Sequence, residues 1–192
     1  MAAGPAPELL ASADEVRRAT ADVGRRISAD HPDGVRLIAV LRASTIFVAD
    51  LVRAITVPVS VDFVALAPVD GQQARTRLVK DLDRSVAGER VVLVTAVVDT
   101  GFSADFLARR LAASDPATLG VATLANKPAR RIVPLEPDYV ALTAPDRFLI
   151  GCGLGYRGRY RNLPSLWAVD VEGLVEDPEV HVPTVYGARG VS

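Results

Sequence analysis

Apolar residues recur along the first two thirds of the chain in two rhythms, short unbroken runs and longer stretches at helical spacing. Ser12 and Glu15 have the spacing of a capping box, and Val16, Ala19, Val23 and Ile27 follow on one helical face, so an amphipathic helix covering a sheet is predicted. Residues 35–41 form an apolar run between Pro32-Asp33-Gly34 and Arg42-Ala43-Ser44, after which Phe47, Val48, Leu51, Val52 and Ile55 mark a helix ended by Pro58. Residues 61–66 alternate as a strand, and 68–73 read as a polar loop long enough to move. A strand over 91–98, a helix over about 103–113 and short strands over 119–125, 139–143, 148–151 and 166–170 complete the pattern. Strands alternating with helices predict an α/β fold with a central, mostly parallel sheet flanked by helices. From residue 171 the apolar period fades and Pro178, Pro183, Gly187 and Gly190 punctuate the chain. The expected division is a domain over 1–170 and an extension over 171–192 with little core potential, lying on the surface or at an oligomer contact. No internal repeat or low-complexity segment is visible.

Composition narrows the function classes. A chain of 192 residues, 49% of them hydrophobic, buries roughly 70% of its unfolded surface as one domain. With 22 basic and 23 acidic residues the net charge is -1, so no surface-wide field draws in nucleic acid or anionic membrane, and any anion site must be local. The single Cys152 rules out an internal disulfide framework and a cysteine-based zinc site, which fits a reducing compartment and a cytoplasmic location. The first seven residues lack the pattern of a signal peptide, and no apolar stretch is long enough to span a bilayer. His31 and His181 each stand alone near a proline and are expected at the surface.

The chemistry concentrates at Asp99-Thr100-Gly101-Phe102-Ser103, directly after the strand over 91–98. Ligands of open α/β sheets lie beyond the carboxyl ends of the strands, and unsatisfied amides at a helix start attract phosphate oxygens. A strand, a tight turn and a helix in that order favour a phosphate cradle with an acid or base at its lip over a plain helix cap. Cys152, in Gly151-Cys152-Gly153, is read as a packed thiol in preference to a nucleophile.

Residues from about 10 to 170 resemble the hypoxanthine-guanine phosphoribosyltransferases. The resemblance is carried by Leu41-Arg42-Ala43-Ser44, Lys80-Asp81-Leu82-Asp83-Arg84, the Asp99 to Ser103 loop, Asn126-Lys127-Pro128, Pro145-Asp146-Arg147-Phe148-Leu149-Ile150-Gly151 and Tyr160-Arg161-Asn162-Leu163, in the family's order. It implies a type I phosphoribosyltransferase fold with a small hood, and transfer of a phosphoribosyl group from phosphoribosyl pyrophosphate, with magnesium, to a 6-oxopurine. It further implies that Thr100, Gly101, Phe102 and Ser103 bind the ribose 5-phosphate and that Asp99 takes the proton from the purine. Arg42, Ala43 and Arg161 would face pyrophosphate, and Lys127, Phe148 and Leu149 the base. Arg42 stands where the family usually has lysine; two parallel hydrogen bonds from a guanidinium to phosphate would keep the role. A homodimer or homotetramer is implied as well.

Three departures bear on the sugar, the metal and the lid. The family's acidic pair, which grips the ribose hydroxyls, is replaced by Thr95 and Ala96; Gly155 stands where an aspartate would bind magnesium; Ala67-Pro68-Val69 lacks the family's Ser-Tyr lid. At ~1.5–3 kcal/mol per charge-assisted bond, losing the acidic pair removes roughly 3–6 kcal/mol, or about two to four decades of affinity. Arg157, Arg159 and Arg161 are expected to compensate by neutralising phosphates in place of the metal. Restoring Thr95→Glu, Ala96→Asp and Gly155→Asp together is expected to raise activity. The leading reading is thus a purine phosphoribosyltransferase. The alternatives are a nucleotide-binding or regulatory module, the inactive partner of an active homologue, and an assembly scaffold that binds no nucleotide.

Overall fold

The computed structural model describes residues 6–69 and 72–187. Its elements run β1 (Glu8–Ala11), α1 (Ala13–Asp30), β2 (Val35–Leu41), α2 (Thr45–Ala54), β3 (Val59–Val69), β4 (Gln72–Lys80), β5 (Arg90–Val98), α3 (Phe102–Ala112), β6 (Thr118–Asn126), a 3-10 turn (Pro128–Arg130), β7 (Tyr139–Thr143), β8 (Phe148–Ile150), β9 (Leu166–Val169), α4 (Val171–Glu176) and α5 (Val182–Gly187). A six-stranded sheet has the order β4-β3-β2-β5-β6-β7, in which only β4 runs antiparallel to its neighbour. A second, antiparallel sheet of order β1-β9-β8 forms the hood.

The central strands read as unbroken apolar runs because both faces of the sheet are covered. Side chains alternate between those faces. Leu37, Ala39, Val92 and Val94 pack with Val23, Ile27, Phe47 and Leu51 of α1 and α2, whereas Ile38, Val91 and Leu93 pack with Leu107 and Leu111 of α3. The Ser12–Glu15 capping box opens α1 as the spacing predicts. Helices α1 and α2 approach closely at Gly24, where a Cβ would come within 2.7 Å of Ala54 Cβ.

The sequence pattern missed two strands. β1 is four residues long, too short for a periodic signal. The segment expected as a mobile loop over 68–73 is largely strand: β3 and β4 make a hairpin whose tip, residues 70 and 71, lies outside the described residues. β4 forms the sheet edge and lacks a clear apolar alternation, as edge strands commonly do. The tail needs a larger correction. Leu174 of α4 and Val185 of α5 are fully buried among Ile150, Tyr160, Leu163, Trp167 and Val169, so residues 171–187 contribute to the core of the hood. His31 and His181, expected at the surface, are 6% and 7% exposed. His31 caps the C-terminus of α1, its backbone bonded to Ile27 and its ring packed against the Tyr139 hydroxyl.

A buried charge cluster ties the hairpin to the sheet. Arg36 of β2 donates to Asp62 of β3 at 2.8 Å and to the carbonyls of Arg84 and Ser85, and it also faces Glu89 at 3.2 Å. Asp62 accepts from the Asp83 amide at 2.9 Å, and Lys80 bridges Asp62 and Asp83. The Lys80 to Arg84 segment that carries part of the family resemblance therefore acts as a latch where the chain returns from the hairpin to β5. Burial raises the Asp62 pKa, but the Asp83 and Phe63 amides and the Arg36 guanidinium outweigh it and hold the carboxyl below its ordinary value. A carboxyl with a depressed folded pKa contributes stability that is complete above the unfolded value and is lost as pH falls through the folded one. Arg36→Met leaves the Asp62 charge short of its main partner and is expected to cost about 3 kcal/mol, roughly a 6–12 °C fall in Tm by calorimetry near neutral pH. The penalty should shrink as pH falls through the range in which the Asp62 carboxyl of the variant takes up its proton, which lies above that of wild type because the lowering by Arg36 is gone.

Candidate active site

Register decides which side chains meet at the carboxyl edge of the sheet. β5 and β6 pair Val98 with Asn126, and the Lys127 amide donates to the Val98 carbonyl at 2.9 Å. The next residue on each strand then stands at the same level, and Asp99 and Lys127 face one another with Nζ 3.8 Å from Oδ2. Lys127 is 6% exposed. Burial pushes its ammonium pKa below the ordinary lysine value, partly opposed by the Asp99 charge. Asp99 is half-buried, and its Oδ1 lies 2.8 Å from Arg130 Nε.

The turn after Asp99 has the geometry of an anion cradle. Gly101 sits at φ +93°, a backbone that side chains rarely adopt, and is the N-cap of α3 without a side-chain cap bond. A Cβ at Gly101 would also lie 3.1 Å from the Val133 carbonyl, so the loop after β6 packs directly against the turn. That loop is fastened by the Ile132 and Val133 amides, both donating at 3.0 Å to the Thr100 carbonyl. Phe102 and Ser103 are exposed at the first turn of an 11-residue helix, whose leading amides are available to phosphate oxygens.

The expected pyrophosphate residues also converge. Arg42, exposed, and Ala43, partly buried against the main core, form the turn after β2, entered through a cis Leu41-Arg42 peptide. Gly153 of the hood abuts that turn so closely that a Cβ would lie 2.2 Å from the Ala43 carbonyl. Arg161 donates to the Gly153 carbonyl, which places it behind the same turn. On the base side, Phe148 is part-exposed and meets Tyr156 edge-on at 6.1 Å. The Leu149 side chain is 5% exposed and belongs to the main core, so the base contact expected of this residue would fall to its backbone. The Cys152 thiol is buried, pushed up to about 12 by burial, and donates to the Pro164 carbonyl, as a packed thiol does.

Of the positions where the family places acidic residues, 96 and 155 have no open space around them, whereas Thr95 is part-exposed. Ala96 is 3% exposed within the core, and the Thr95 hydroxyl is bonded to the Val97 carbonyl. A Cβ on Gly155 would sit 2.0 Å from the Arg159 carbonyl. Among the described residues no three His, Cys, Asp or Glu side chains are grouped to hold a metal ion. The residues present do not fit a protein-held magnesium. The expected arginine compensation is corrected too. Arg159 is bonded to Glu179 of the tail segment, and Arg157 lies over the Tyr156 ring, so only Arg161 adjoins the Arg42 turn. Arg130, which the sequence reading passed over, reaches Asp99 instead; its signal was a basic pair, Arg130-Arg131, following Asn126-Lys127-Pro128.

A parallel sheet with a phosphate-cradle turn at its carboxyl edge and an antiparallel hood above it defines a phosphoribosyltransferase-type protein. The phosphoribosyl transferase domain family matches residues 8–157. A hypoxanthine-guanine phosphoribosyltransferase of Mycobacterium avium is 34% identical over 177 residues, 87% of each chain. The crystal structure of a hypoxanthine-guanine phosphoribosyltransferase from Bacillus anthracis superposes with a TM-score of 0.81 at 32% identity, covering 84% of this chain and 98% of that one. A hypoxanthine phosphoribosyltransferase from Trypanosoma cruzi, complexed with the product IMP, gives 0.82 at 31% identity over 88% and 93% of the two chains. The chain belongs to the hypoxanthine-guanine phosphoribosyltransferase family.

At Gly155 a restored carboxylate meets backbone instead of open space. Gly155→Asp has to displace the Arg159 carbonyl. It is expected to lower Tm by several degrees and to leave magnesium affinity, read by isothermal titration, unchanged from wild type.

Proposed function

We propose that the chain transfers the phosphoribosyl group of phosphoribosyl pyrophosphate to a ring nitrogen of a 6-oxopurine such as hypoxanthine or guanine. The single observation that carries the reading is the juxtaposition of Asp99 and Lys127 beside the Gly101 turn. Amides of Thr100 to Ser103 would hold the 5-phosphate at the start of α3. Lys127, fixed by the β6 register, would donate to the 6-oxo group, and Phe148 would stack on the ring. As the bond from the purine nitrogen to C1′ forms, the bond from C1′ to the pyrophosphate oxygen breaks, and Asp99 accepts the proton that leaves the nitrogen. Pyrophosphate would depart along Arg42, Ala43 and Arg161. The lost ribose grip at Thr95 and Ala96 points to weak donor binding, with no step assigned to a protein-held magnesium.

Family membership and the Asp99–Lys127 pair support the enzyme reading over that of a regulatory module or an inactive partner of an active homologue. The single, buried thiol supports a cytoplasmic site of action, and the family resemblance supports two or four copies. Among the described residues no helix is long and apolar enough to cross a membrane.

Incubation with hypoxanthine or guanine and phosphoribosyl pyrophosphate, read by nucleotide chromatography, should give the nucleoside monophosphate. Asp99→Asn should lower kcat ~10²–10⁴-fold while leaving the fold intact by circular dichroism. Tight nucleoside monophosphate binding without turnover of any 6-oxopurine would instead select the binding-module reading.

A further inference from the structure

Four charged groups from three separate chain segments form one connected series at the carboxyl edge of the sheet. Arg130, in the 3-10 turn after β6, has Nε 2.8 Å from Asp99 Oδ1 and a terminal nitrogen 3.2 Å from Asp146 Oδ1, while Lys127 faces the other Asp99 oxygen. Asp146 lies in the loop between β7 and β8, two residues before Phe148. The neighbouring Arg131 takes no part: its guanidinium is bonded to the Leu135 carbonyl and to the Asn126 side chain, holding its own loop. The two adjacent arginines thus have separate tasks. Arg130, Asp99 and Asp146 are each more than a third exposed, and ion pairs this exposed contribute little to stability. Stability alone does not account for a chain of charges that joins the candidate base to the loop carrying the stacking ring. A guanidinium stays protonated at any working pH, so Arg130 can orient Asp99 without competing for the purine proton.

We propose that Arg130 is a positioning residue for the transfer. By bridging Asp99 and Asp146 it fixes the plane of the Asp99 carboxylate relative to Phe148, so that a heterocycle stacked on the ring presents its N–H to Asp99. The inference rests on the reading of Asp99 as the base. The positioning acts on the acceptor heterocycle and not on the pyrophosphate, which on the proposed reading would depart along the Arg42 turn.

The test uses the full chain with Arg130→Gln, Arg130→Lys, Asp99→Asn and the Asp99→Asn/Arg130→Gln double variant. With hypoxanthine or guanine as acceptor, Arg130→Gln should lower kcat ~10–100-fold, the scale of a misplaced reacting group, with KM for phosphoribosyl pyrophosphate within about twofold of wild type. Arg130→Lys should recover part of the loss. Calorimetric Kd values for inosine monophosphate provide a readout that needs no turnover. If Arg130 acts through Asp99, the double variant should bind no more than about twofold weaker than the weaker single variant. A wild-type kcat in Arg130→Gln, or Kd effects that multiply in the double variant, overturns the proposal. If wild-type protein turns over no purine, the reading of Asp99 as base fails, and the binding cycle alone decides whether Arg130 and Asp99 act as one unit.

Discussion

The parallel register of β5 and β6 is the constraint on which the candidate site depends. Side chains of a strand alternate faces, so a slip of one residue would turn every partner to the opposite side. With Val98 opposite Asn126, a carboxylate and a nearly buried ammonium come off the strand ends together, 3.8 Å apart. The same register brings the loop after β6 against Gly101, where two amides fasten it to the Thr100 carbonyl. The phosphate turn, the acid and the cation are therefore consequences of one pairing. That pairing is itself held by the apolar packing of Leu93, Val94, Ala122 and Leu124, none of them exposed.

Around this arrangement of backbone, the charges depart from the family pattern in one direction. The carboxylates expected at positions 95, 96 and 155 are absent, and at Ala96 and Gly155 there is no open space for them. Cations remain at Lys127, Arg130, Arg42 and Arg161, two of them on Asp99. This balance of charge favours phosphate oxygens directly and offers few ligands to a divalent ion. Arg159 is drawn to Glu179, Tyr160 donates to the Pro178 carbonyl and Tyr186 to Asn162, so the tail braces the segment that carries Arg161.

Much of this was legible in the sequence because its causes are local. Continuous apolar runs specify central parallel strands, the Ser12–Glu15 spacing specifies a helix start, and Asp99 followed by Thr100-Gly101 specifies a strand-turn-helix edge. β1 and β4 were not legible: one is too short for a period, and the other is a polar edge whose partner, not its own pattern, makes it a strand. The tail misled for a similar reason. Leu174 and Val185 sit in helices of six residues, too short to show periodicity, yet each fills a place in the hood core. His181 lies in the same tail, and His31 gains its burial from Tyr139, 108 residues away. Arg130 escaped notice because its importance lies in reaching Asp99 and Asp146 across three segments, a relation with no signature in spacing.

The central claim is that phosphate and heterocycle meet at this strand edge, with the Gly101 turn at one end and Asp99 at the other. A crystal structure with a purine nucleoside monophosphate tests it most directly. The account predicts phosphate oxygens within hydrogen-bond distance of the amides of residues 101–103, a purine nitrogen against the Asp99 carboxylate and the 6-oxo group against Lys127. A nucleotide seated elsewhere, or one whose base lies away from Asp99 while the phosphate occupies the turn, would contradict it.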